Sequence, residues 1–129
     1  MTTLASVSIL AQDIDAVARF YQDVFGFEEI AAYRTPVFRA LAATPVLLGI
    51  HGPEAYELLG LVGCQDRGGV TSMVNFDVDG RDEVVSLAER VVTKGGRLIK
   101  APFDTYYGAF QAVLADPEGN VFRVNRMPG

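Results

Sequence analysis

One cysteine, one histidine and no tryptophan occur in this 129-residue chain. Cys64 has no second cysteine to pair with, so an internal disulfide is excluded, and no cysteine pair or histidine cluster offers zinc-site spacing. Positive charge is also scarce. Eleven Lys and Arg face sixteen Asp and Glu, for a net charge of −5, and no basic run is available to neutralise phosphates. Nucleic acid is therefore not an expected partner. Acidity mildly favours cationic or neutral ligands, although single site residues override it. No apolar run approaches the roughly 18 residues of a spanning helix. Met1 leads directly into Thr2 and Thr3, without the charged and apolar regions of a signal peptide. A cytoplasmic location with no membrane partner is the expectation. A nucleotide-binding loop and a nucleophile elbow are absent too, so no motif names a substrate.

What is present is an ordinary globular composition, 50% hydrophobic and 21% charged, enough for one domain or two half-domains sharing a core. The most informative stretch runs from Ala109 to Arg126. Asp116-Pro117-Glu118-Gly119 has the residues of a type I turn closed by a left-handed glycine, between two strand-like runs. In the second run Val121, Arg123 and Asn125 share one face, and Phe122 and Val124 the other. The phenylalanine and valine suit a core. Arg123 and Asn125 suit the wall of a cavity.

In chain order, Leu4 to Ala11 alternates as a strand, with Ser6 and Ser8 on its more polar face. Asp13 is placed to cap a helix carrying Ile14, Val17, Phe20, Tyr21 and Val24 at helical spacing, ended by Gly26. Strands are expected at Glu28 to Arg34, Val37 to Ala42 and Pro45 to His51. A glycine-rich stretch over residues 52–70 then serves as a linker, with a short helical turn at Glu54 to Leu59. The plan repeats: a strand at Ser72 to Val78, a helix from Asp79 or Gly80 to Gly95-Gly96, a strand at Arg97 to Lys100 broken by Ala101-Pro102, and the hairpin. Ser6 to Met73 is an offset of 67 and Gly26 to Gly95 one of 69, so the two copies nearly superpose. The fold class is α+β. Two tandem βαβββ modules, about 1–51 and 71–129 of a single domain, form curved mixed sheets around a cleft.

Three features together resemble the vicinal oxygen chelate superfamily, the glyoxalase, bleomycin-resistance and extradiol-dioxygenase group. They are Asp13-Ile14-Asp15-Ala16 followed by Phe20-Tyr21-Gln22-Asp23-Val24-Phe25-Gly26-Phe27, Asp116-Pro117-Glu118-Gly119-Asn120, and the doubled βαβββ order. The resemblance covers essentially the whole chain and specifies a fold rather than a reaction. It implies, in metal-dependent members, a His on the first strand of a module and a Glu on the fourth. Carried over, the His positions fall on Ser6 and Met73. The Glu positions fall on Arg123 and, in module one, near Leu48. None is a usual metal ligand, and a guanidinium repels a divalent cation. His51 alone cannot supply the nitrogens of such a site. The metal assignment is none and no cofactor is expected, with a divalent metal, held through Asp77, as the alternative. Relatives of this length pair modules across a two-fold axis, which implies a homodimer.

By parity the cleft is faced by Ser6, Ser8, Met73, Asn75, Asp77, Arg123 and Asn125. Asp77 and Arg123 come from neighbouring strands and form either an ion pair or part of a site in which Arg123 and Asn75 orient a polar ligand group beside Met73. Tyr106 and Tyr107 serve either as a ligand platform or as core and edge packing. Tyr33, Arg39 and Tyr56 are surface or packing residues, His51 a loop histidine, and Cys64 inert. The ligand-binding candidates are thus Ser6, Met73, Asn75, Asp77, Tyr106, Tyr107, Arg123 and Asn125. The favoured function is metal-independent binding of a small, aromatic or planar molecule. The alternative is an enzyme, a glyoxalase-like lyase or isomerase or a dioxygenase type, with an atypical metal site.

Overall fold

Asp13 opens the first helix as the sequence leads one to expect. Its carboxylate accepts a 3.0 Å hydrogen bond from the Ala16 N–H, and Gly26 closes the helix with φ 75°. The computed structural model describes residues 1–65, 69–70 and 72–128. Asp66 to Gly68 of the expected linker, Thr71 at the head of the second module, and Gly129 lie outside the described residues. The chain divides into two units, Met1–Gly69 and Val70–Gly129.

The first unit contains β1 (Ser6–Leu10), α1 (Ile14–Phe25), β2 (Phe38–Ala43), β3 (Val46–His51) and α2 (Glu54–Leu58). Its sheet has the order β1-β3-β2, with β1 and β3 parallel and β2 antiparallel to β3. The apolar stripe of α1, Val17, Ala18, Phe20, Tyr21 and Val24, is buried, as are Leu41, Leu48 and Ile50 of the strands. Arg39 belongs to this packing. It is only 6% exposed, and its guanidinium donates to Asp15 at 2.8 Å and to the carbonyls of Thr35 and Phe38 at 2.6 and 2.9 Å.

The strand expected at Glu28 to Arg34 is mostly absent. Glu29 makes an isolated bridge to Leu41, and Ala31–Tyr33 forms a single 3₁₀ turn. Two successive alanines supply none of the branched or aromatic bulk that holds a pleated ladder. Instead Arg34 reaches back to Glu29 at 3.1 Å.

The second unit contains β4 (Val74–Asp77), α3 (Arg81–Thr93), β5 (Arg97–Asp104), β6 (Phe110–Ala115) and β7 (Val121–Arg126), in the sheet order β4-β7-β6-β5. β4 runs parallel to β7, and the other pairs are antiparallel. β4 is shorter than the expected Ser72 to Val78. β5 is longer than expected and passes through Pro102, with its register against β6 shifting between Leu98 and Lys100 and again between Lys100 and Phe103. As an edge strand it pairs on one side only, where a proline is tolerated.

Register divides this sheet into two faces. Phe76, Phe122, Val124, Ala112, Leu114 and Phe110 lie on the face toward α3. Arg81, the first residue of that helix, sits 3.9 Å above the Phe110 ring. Phe122 and Val124 are 1% and 0% exposed, and Val84, Ala88 and Val91 of α3 are buried. Asn75, Asp77, Gln111, Val113, Arg123 and Asn125 share the opposite face. Such a face is free to be polar only because the other one supplies the core.

Candidate ligand-binding site

The polar face of the second sheet is positioned by the Asp116 turn. Asp116 is buried. Its Oδ1 accepts from the N–H groups of Glu118 and Asn120 at 2.9 and 3.0 Å, and its Oδ2 from the Asn120 side chain at 2.8 Å. Gly119 takes φ 87° and donates to the Asp116 carbonyl. This turn pairs Ala115 with Val121, hence Val113 with Arg123 and Gln111 with Asn125. The parallel β4 adds Asn75 beside Arg123 and Asp77 beside Asn125.

A chain of hydrogen bonds crosses the face. Arg123 Nε donates to Asn75 Oδ1 at 2.5 Å, and Asn125 Nδ2 donates to the same oxygen at 3.4 Å. Gln111 Nε2 donates to Asn125 Oδ1 at 2.8 Å and to the Tyr107 hydroxyl at 3.1 Å. The direction of these bonds follows from one residue. A guanidinium N–H can only donate, so Asn75 must present its oxygen. Asn125 must then offer its NH₂ to that oxygen, which leaves its own oxygen for Gln111, and Gln111 must answer with NH₂. Tyr107 accepts at the end of the chain, so its hydroxyl hydrogen stays available.

The structure places the eight candidates unevenly. Asn75, Arg123, Asn125 and Tyr107 are joined in this network, and Asp77 lies on the same face beside Asn125, exposed. Asp77 and Arg123 do not form an ion pair among the described residues. Parallel register sets Arg123 against Asn75, one pleat away from Asp77. Met73 precedes β4 and is 44% exposed. Ser6 belongs to the first unit, at the start of β1 opposite Leu47. Tyr106 is fully exposed and meets Tyr107 edge-to-face at 5.1 Å, so neither tyrosine enters the core.

Gln111, only 5% exposed, is the residue that parity on β4 and β7 missed. Counting outward from the Asp116 turn pairs it with Asn125, and that count was the available signal. Asn125 is itself 4% exposed, so the amides are a buried link between Arg123 and Tyr107 rather than an open wall.

Register refines one carried-over position. Arg123 lies opposite Asn75, two residues beyond Met73, and the matching pair in the first unit is Ser8 with Gly49, the residue next to Leu48. Leu48 is buried opposite Val7. A Cβ on Gly49 would come within 2.9 Å of both Ser8 Oγ and a Phe38 ring carbon. No side chain fits there without displacing Phe38, whose ring contacts His51 at 4.5 Å between centroids. Burial pushes the His51 pKa below its ordinary value, favouring the neutral ring. Neither the Ser6 hydroxyl and Gly49 of the first unit nor the Met73 thioether and Arg123 guanidinium of the second are usual ligands of a divalent metal. No three His, Cys, Asp or Glu residues are grouped to hold an ion among the described residues. No helix among them is long and apolar enough to cross a membrane.

Similarity to known proteins follows the fold. A glyoxalase/bleomycin resistance protein/dioxygenase family enzyme from Burkholderia phytofirmans PsJN is 45% identical, with TM-score 0.93 over 96% of this chain and 98% of that one. A lactoylglutathione lyase from Agrobacterium tumefaciens shares the fold at 21% identity, with TM-score 0.73 over 97% of this chain and 93% of that one. So does a fosfomycin resistance protein from Listeria monocytogenes complexed with Mn(II), at 15% identity and TM-score 0.76 over 99% and 92% of the two chains. A comparison with curated proteins found no match. The family model for the Glyoxalase/Bleomycin resistance protein/Dioxygenase superfamily matches residues 3–124, and the chain belongs to that superfamily.

Proposed function

We propose that the protein binds a small molecule on the polar face of its second sheet, without a metal. One observation carries the reading: Arg123, at the position where metal-dependent relatives are expected to carry a carboxylate, is locked by Asn75 into a hydrogen-bonded chain ending at Tyr107. A guanidinium held by its Nε–H is pre-organised for a ligand and opposed to a cation. Tyr106 and Tyr107 add exposed aromatic area at the far end of that chain, which suits an aromatic or planar ligand. The lack of a nucleic-acid partner in this reading accords with the acidic composition.

Thermal-shift screening of chelator-treated protein tests the proposal. Stabilising compounds are expected, with shifts unchanged by added zinc, nickel, manganese or iron(II). Stabilisation that needs one of those metals would contradict it.

The description of the Burkholderia relative as an enzyme favours a second reading, a lyase, isomerase or dioxygenase type with an atypical site. Turnover of a stabilising compound would separate the two. We also propose a homodimer, on family membership. A clean 13.9 kDa monomer in sedimentation at micromolar concentration would remove it.

A further inference from the structure

We infer that the ligand carries a carboxylate, which docks on the terminal nitrogens of Arg123. The inference rests on the binding reading above and adds the chemical class. Its basis is the polarity of the hydrogen-bond chain. Asn75 Oδ1 is taken by two donors, Arg123 Nε and Asn125 Nδ2, and Asn125 Oδ1 is taken by Gln111. The groups left over at the Arg123 end are donors, the two Nη groups of Arg123 and the Asn75 NH₂, and at the far end of the chain the Tyr107 hydroxyl hydrogen is a donor too. Arg123 has no hydrogen bond or ion pair besides the one from Nε among the described residues. Donors of this kind want an acceptor, and a planar fork of N–H groups matches the two oxygens of a carboxylate.

The overall charge of −5 opposes an anion, and Asp77 lies on the same face. Its effect is limited by position. Asp77 stands level with Asn125, in the next row along the strands from the Arg123–Asn75 pair, and it is exposed, where water and salt weaken its field. The acid group therefore seats at the Arg123 end, with a planar body directed toward the exposed face of Tyr107.

The test uses the metal-free full chain and three matched probe pairs: benzoate, phenylacetate and 2-naphthoate, each with its primary amide. NMR titration reads affinity and the Arg123 Nε–H resonance. The acids are expected to bind about 10- to 100-fold more tightly than their amides, the range of a charge-assisted pair, and to shift that resonance. Arg123→Met should erase the preference. Arg123→Lys, which keeps the charge and loses the fork, should retain only part of it, and Asp77→Asn should leave it intact or enlarge it. Circular dichroism and melting confirm that each variant is folded, and Arg123→Lys carries the test if Arg123→Met is not.

Amides binding as well as acids, or a preference that survives in folded Arg123 variants, would overturn the carboxylate assignment while leaving small-molecule binding standing. No ligand of any charge in the thermal-shift screen, together with no binding of these probes, would overturn both.

Discussion

Phe122→Ala is expected to lower the unfolding free energy by about 3–5 kcal/mol, the usual cost of truncating a buried phenylalanine. Phe122 is 1% exposed, packs edge-to-face on Phe76 at 5.7 Å between centroids, and pairs with Leu114 and Val74 across the sheet. It also sits one residue before Arg123, on the opposite face of the same strand. The core thus holds β7 in the register that sets Arg123 against Asn75. Denaturant unfolding checks the expectation through a lower midpoint at an unchanged slope. A loss below roughly 1 kcal/mol would mean that the cavity collapses, and that β7 is held by something other than this packing.

The second large effect is at the turn. Asp116→Ala removes the acceptor of three hydrogen bonds that close the β6–β7 hairpin. The expected cost is about 2–4 kcal/mol, since bonds to an ionised acceptor are the stronger kind and two of the stranded donors are backbone N–H groups close to water. Asp116→Asn keeps one oxygen for those two N–H groups and should recover about half of the loss. The turn also fixes Gln111 against Asn125. A hairpin slipped by one residue would turn every side chain to the wrong face. The Asp116→Ala variant should therefore weaken ligand binding along with stability. Equal stability of wild type and Asp116→Ala would show that register is set by the strands alone.

Much of this arrangement was legible in the residues themselves. Asp13, Gly26 and the Asp116–Gly119 turn act through local chemistry, a cap, a left-handed glycine and an Asx-type closure, and local chemistry is written in short stretches. The alternation at Phe122, Arg123 and Val124 likewise assigns faces without any knowledge of neighbours. What local pattern does not carry is pairing. The run Glu28 to Arg34 is strand-like in length, yet only Glu29 bridges to a neighbour. Pro102 breaks a strand by rule, yet an edge strand accommodates it. The same gap explains the site. Adjacent strands left Asp77 and Arg123 either an ion pair or parts of a site, and it is parallel register, not local pattern, that puts Asn75 beside Arg123. Gln111 gained its role only through the hairpin partner opposite it.

Metal content per chain, on untagged protein purified without chelator and then challenged with zinc, nickel, manganese and iron(II), bears most directly on the central claim that Arg123 occupies the metal-ligand position and replaces its chemistry. The expected result is no retained ion after loading and desalting. One tightly held ion per chain would contradict the claim, because a guanidinium repels a divalent ion and Arg123 would then not stand in the place of its ligand.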